Sequence, residues 1–137
     1  MDLDRAQCDP AIPDHAKTNA RGRAYEAERL LRECLALRLN GPDPSNWRTG
    51  NVRSCLGGAL FVQTVTDPSL TSEARRAKLA EAEAMLLEGD SAMEHGKNVE
   101  TRYRSDSFIR LIRLYERSND KDKAAAWRQK LYELEEG

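Results

Sequence analysis

Apolar residues recur three and four positions apart in five stretches of this chain, and Gly, Pro, Asn and Asp separate the stretches. In the first, about residues 19–39, Ala27, Leu30, Leu31, Cys34 and either Leu35 or Leu37 lie on one face of a helix, with Glu and Arg opposite. Asn40-Gly41-Pro42-Asp43-Pro44 should end it, Gly41 taking the left-handed C-terminal position and the prolines preventing continuation. Ser45 or Asn46 can cap a second helix reaching about Gln63, with Val52, Cys55, Leu56, Ala59 and Leu60 as its stripe. Asp67-Pro68 breaks the pattern. Leu79, Ala82, Met85 or Leu86, and Met93 mark a long third helix, weakened near its middle by Gly89. After Gly96 to Asn98, Phe108, Leu111, Ile112 and Tyr115 set a fourth helix. Ser118-Asn119-Asp120 is a turn, and Ala124, Trp127, Leu131 and Leu134 set a fifth, about residues 121–135. Residues 1–18 have no such period and contain Pro10 and Pro13, so they read as an irregular or disordered leader. The expected class is all-α.

The stripes also repeat at long range. A shift of 55 residues lays Leu56 on Leu111, Ala59 on Leu114 and Leu60 on Tyr115, and Glu26-Ala27-Glu28 on Glu81-Ala82-Glu83. Ala27 to Leu56 and Ala82 to Leu111 are both 29 residues, and Leu111 to Ala124 is 13. Leu56 to Ala82, however, is 26, so a repeat of 42 carries 13 extra residues at about 64–78. Fixed-period self-similarity of this kind is the mark of a helical repeat array.

The first half of one known repeat pattern, W-x2-L-G-x2-Y, is matched in part by Arg53-x2-Leu56-Gly57-x2-Leu60 and by Phe108-x2-Leu111-Ile112-x2-Tyr115. Its second half, A-x3-F, is matched by Ala27-x3-Leu31 and Ala82-x3-Leu86, and by Ala124-x3-Arg128, where Trp127 can supply the packing that Arg128 does not. The chain thus resembles tetratricopeptide repeat (TPR) proteins, of the long-repeat kind seen in kinesin light chains. More narrowly, residues 21–131 resemble the helical repeats C-terminal to bacterial serine/threonine kinase domains. The resemblance implies an α-α superhelix (solenoid) of about five helices over residues 19–137, or two and a half repeats. Counting back 13 from Ala27 reaches Asp14, close to Pro10 and Pro13, so the first repeat has lost its partner helix. An apolar side of helix one is then left for the leader, or a second copy of the chain, to cover.

Composition adds mainly exclusions. Lys plus Arg total 22 and Asp plus Glu 23, a net charge of −1, so no global field draws the chain to nucleic acid, a membrane or an acidic partner. Three cysteines, an odd number, and the absence of a signal-like apolar start suggest a cytoplasmic protein, and no stretch has the length of a membrane span. His15, His95 and the cysteines lack metal-ligand spacing, so neither metal nor cofactor is expected. Cys34 and Cys55 fall on apolar stripes as buried small hydrophobes. Between Gly89 and Gly96 lie six residues where a phosphate loop needs four, which reads as a helix end. The chain holds no kinase Gly-rich loop, H-R-D or D-F-G. Glu81 and Glu83 face different directions on a helix and do not read as a catalytic pair.

What remains is binding. The resemblance implies a concave groove lined by Asn51, Ser54, Cys55 and Gly58 on helix two and by Asp106, Ile109, Arg110 and Arg113 on helix four. Arg110, Arg113 and Arg117 recur at helical spacing and suit carboxylates or phosphate from a peptide. Ordinary surface pairing of Asp106 with Arg110 and of Glu116 with Arg113, about 0.3–0.5 kcal/mol each, explains the same pattern. Members of the family that capture chaperone tails hold a terminal carboxylate with Lys, Asn and Arg. Here Asn51 stands where that Lys is wanted and Cys55 where the Asn is wanted, which argues against tail capture. Nucleic-acid binding through Arg102, Arg104 and the other arginines lacks an aromatic stacking platform. The expectation is a non-catalytic protein-interaction scaffold for a peptide or partner domain, and the narrower resemblance implies an accessory segment of a serine/threonine kinase. The alternative is a self-assembly module using residues 19–39.

Overall fold

The computed structural model describes the backbone from residue 14 onward and side chains from residue 18. Five helices and no strand occur among the described residues: α1 (Asp14–Leu39), α2 (Trp47–Thr66), α3 (Ser72–Glu94), α4 (Thr101–Arg117) and α5 (Lys121–Glu136). The all-α expectation therefore holds, with element boundaries close to the breaks in the apolar pattern. α1 begins at Asp14, ahead of the expected residue 19; the rest of the expected leader lies outside the described residues.

Local chemistry sets the ends. Of the two candidate caps for α2 it is Asn46 that accepts the backbone N–H of Arg48, at 2.8 Å, while Thr71 caps α3 through the N–H of Ala74 and Asp120 caps α5 through that of Lys123. Gly41 does not take the left-handed conformation. The positive-φ positions among the described residues are Asn98 (59°) and Asn119 (58°), which follow α3 and α4. α1 is closed instead by the Asn40 side-chain amide donating to Ala36 O at 2.9 Å.

α2 is the centre of the molecule. Leu56 through Thr64 is an unbroken buried run, so this part of the helix is enclosed on every side rather than amphipathic, while Arg48, Asn51, Arg53 and Cys55 in its first half keep some exposure. It packs antiparallel on α3 along a seam of small residues, where Gly50 meets Gly89 and Ala92, and Gly57 meets Ala82 and Leu86. Gly89 accordingly does not interrupt α3, which runs through it for 23 residues; it is where the two backbones come closest. Leu56, Leu60, Phe61, Ala82, Leu86, Leu111, Leu114, Tyr115 and Ala124 form one core spanning α2 to α5. Phe108 and Trp127 extend it between α4 and α5, their ring centroids 5.5 Å apart.

The 13 extra residues resolve into a taller hairpin. Relative to α4 and α5, α2 continues four residues further past the matched position, the turn is two residues longer, and α3 starts seven residues earlier. Not α3 alone but both helices are lengthened. The added height is what holds the first half of α1: Ala20 and Ala24 pack on Val62, and Tyr25 donates to the Asp67 carboxylate. Gln63, fully buried, donates to Glu28 at 2.8 Å and accepts from Lys78 at 2.8 Å, which ties α1, α2 and α3 together. Arg75 donates to Thr64 O and to Asp67 O, occupying carbonyls that the end of α2 leaves open. The face of α1 that packs is therefore Ala20, Ala24, Leu31 and Leu35, whereas Leu30 and Leu37 of the expected stripe are 48% and 77% exposed.

Candidate functional site

α2 and α4 lie beside one another, and of the residues expected to line a groove between them Ser54 and Arg110 meet there. Ser54 is fully buried; its backbone sits against Gly89, and its Oγ accepts a hydrogen bond from Arg110 Nη1 at 3.1 Å. This bond spans 56 residues of sequence and fixes one guanidinium at the junction of the two helices. Around it Asn51, Cys55, Ile109 and Arg113 are half-buried, while Asp106 and Arg117 are exposed. Gly58 is buried, so it and Ser54 offer a ligand no side-chain surface; Ser54 acts by orienting Arg110. Cys55 and Cys34 are both free thiols and only half-buried, not enclosed as their stripes suggested. Neighbouring charges are paired in part, Arg53 standing 3.6 Å from Glu88.

A second concavity, which the sequence reading did not single out, lies where the end of α3, the start of α4 and the end of α5 converge. It has a volume of about 310 Å³. Asp90 and Glu94 from α3 and Arg104 and Phe108 from α4 line it, and Lys130, Glu133 and Leu134 from α5 complete it. Asp90 is only 5% exposed, and Ser107 Oγ donates to its Oδ1 at 3.1 Å. Burial raises the Asp90 carboxyl above the usual carboxylate range, against the Ser107 hydrogen bond and the positive charges of Arg104 and Lys130. Arg104 lies over the Phe108 ring at 5.5 Å, and its Nε is buried without a hydrogen-bond partner. The sequence did carry a signal here: Asp90 falls four residues after Leu86 and three before Met93, on the apolar register of α3.

No group of three His, Cys, Asp or Glu side chains able to hold a metal ion occurs among the described residues, and no described helix is long and apolar enough to cross a membrane. No protein-family model matches the chain, and neither the curated proteins nor the solved structures contain a significant match to it.

Proposed function

We propose that the chain is a protein-interaction scaffold of the TPR-like solenoid kind, in which the surface between α2 and α4 receives a peptide or a partner domain without catalysing a reaction. The observation that carries this reading is the Arg110–Ser54 hydrogen bond. It joins helices related by the 55-residue shift, as expected where the first helices of successive repeats stand side by side, and it holds a guanidinium at the partly exposed line between them. Antiparallel pairing of α2 with α3 through Gly57 and Ala82, the small positions of the repeat pattern, supports the same architecture. In this reading the scaffold works in the cytoplasm, and as an accessory segment of a serine/threonine kinase it would position substrates. Arg110 and Arg113 would favour an acidic or phosphorylated segment.

The test is retention of cellular proteins by the wild-type chain and by an Arg110→Glu, Arg113→Glu variant, with circular dichroism to check that both are equally helical. A partner held by the first and lost by the second is expected. Retention unchanged by the reversal of both charges would overturn the assignment of this surface.

A second reading, self-assembly through α1, is favoured by the exposure of Leu30, Leu37 and Leu39. It predicts concentration-dependent sedimentation of the wild type that disappears in a Leu30→Lys, Leu37→Lys variant.

A further inference from the structure

The cavity beneath Asp90 has a chemistry that the scaffold reading does not use. Its two most enclosed charged groups are of opposite sign, and they are not joined to each other: among the described residues Asp90 is bonded to Ser107 alone, while Arg104 makes no hydrogen bond and rests on the Phe108 ring. A carboxylate and a guanidinium lining one space would ordinarily close into a pair, since each loses hydration on burial. Here the space between them stays open.

We infer that this cavity is a binding site for a small zwitterion of amino-acid size, its ammonium group held by Asp90 and its carboxylate by Arg104. Three observations select that chemistry. A simple anion would meet Asp90, Glu94 and Glu133 together, which outnumber Arg104 and Lys130. A simple cation would leave the Arg104 guanidinium, which lines the cavity, without an acceptor and would face the positive charges of both Arg104 and Lys130. A molecule carrying both charges satisfies each group at once, and Phe108 and Leu134 give its apolar part a surface to rest on. Size is compatible with this: about 310 Å³ stands at the small end of the range for ligand pockets and accommodates a single amino acid. The site is built from α3, α4 and α5 and does not depend on the groove between α2 and α4.

The experiment is calorimetric titration of the full chain with a panel of free L-amino acids, followed by the N-acetyl and carboxamide derivatives of the strongest binder. The derivatives each remove one charge and keep the side chain. Binding of the free amino acid is expected, with at least about a tenfold loss for either derivative and for Asp90→Asn or Arg104→Gln. Absence of binding up to about 10 mM of every amino acid, or equal binding of a derivative, would overturn the inference. The derivatives act on the unaltered protein, so the test stands even if a variant fails to fold.

Discussion

A methyl group built on Gly57 would stand 2.9 Å from the carbonyl oxygen of Ala82, a backbone atom that cannot swing aside. Gly89 is tighter, since its added carbon would meet Gly50 O and would lie 2.9 Å from Ser54 N. Glycine costs about 1 kcal/mol in a helix interior relative to alanine, so its presence at both positions is a concession to close packing. Gly57→Ala and Gly89→Ala should each destabilise the protein by about 1–3 kcal/mol through overpacking, despite the gain in helix propensity. Gly22→Ala, where the added carbon meets nothing, should instead stabilise by up to about 1 kcal/mol. Urea denaturation of the three variants measures the contrast, and equal effects at Gly22 and Gly89 would contradict the seam.

The Asp67 anchor for α1 gives a prediction in pH. Ser69 donates to Asp67 through both its hydroxyl and its backbone N–H, and Tyr25 donates as well, so the carboxyl is held down to about 2. Tyr25, desolvated and facing that carboxylate, is raised to about 12. A depressed carboxyl contributes stability that is present above its ordinary value near 3.9 and is lost as pH falls through about 2; a raised phenol contributes stability present below about 10 and lost towards 12. Tyr25→Phe should cost about 1–2 kcal/mol at neutral pH. The difference from wild type should narrow between pH 4 and pH 2, as acid urea titrations would register, and a gap independent of pH would rule out the charged hydrogen bond as its source.

Periodicity located the helices best where a buried stripe faces the core, and Phe108, Leu111, Ile112 and Tyr115 of α4 are all buried as that stripe requires. It failed where burial is not set by a stripe. The second half of α2 is enclosed on all sides, so its period carried no direction there, and Gly89 looked like a weak point because a helix interior penalises glycine unless another backbone lies against it. On α1 the larger Leu30 and Leu37 outweighed Ala20 and Ala24 by hydropathy, yet small residues are what let α1 lie close to Val62. At the α2–α4 surface the residue types were legible, but the joining of Ser54 to Arg110 is a distance between helices that no local pattern encodes. The Asp90 cavity was hidden for a related reason: Arg104 and Lys130 are ordinary surface residues until the ends of three helices are brought together.

Asp90 also makes a prediction about stability. Its carboxyl is raised by burial, so the folded state carries a penalty for the charged form that is felt at neutral pH and fades as pH falls through the raised value towards the ordinary one. Its place near the C-terminal end of α3, where helix carbonyls are unpaired, adds to that penalty. Asn keeps an acceptor for Ser107 and removes the charge. Asp90→Asn should therefore raise stability at neutral pH by about 0.5–2 kcal/mol, the pattern of a group kept at a cost to the fold. Thermal melts at two pH values check it; a loss of stability at neutral pH would mean the carboxylate is compensated better than its single hydrogen bond implies.

Leu30 and Leu31 are neighbours in sequence about 100° apart on α1, and the structure assigns them opposite roles. Leu31 packs against the core that runs from α2 to α5, while Leu30 is 48% exposed beside the still more exposed Leu37. Lysine matches leucine closely in helix propensity, so either substitution tests surroundings and not the helix itself. Leu31→Lys should cost about 2–4 kcal/mol, because it removes a packed side chain and draws an ammonium towards apolar neighbours. Leu30→Lys should stay within about 0.5 kcal/mol of wild type. Changing both at once would merge loss of folding with loss of any surface contact. A Leu30→Lys, Leu37→Lys pair leaves the core untouched and alters only the exposed face, so a change in its sedimentation would report association through α1 alone. Unfolding by Leu30→Lys in dilute monomeric solution would show that α1 packs through the face that the structure leaves open.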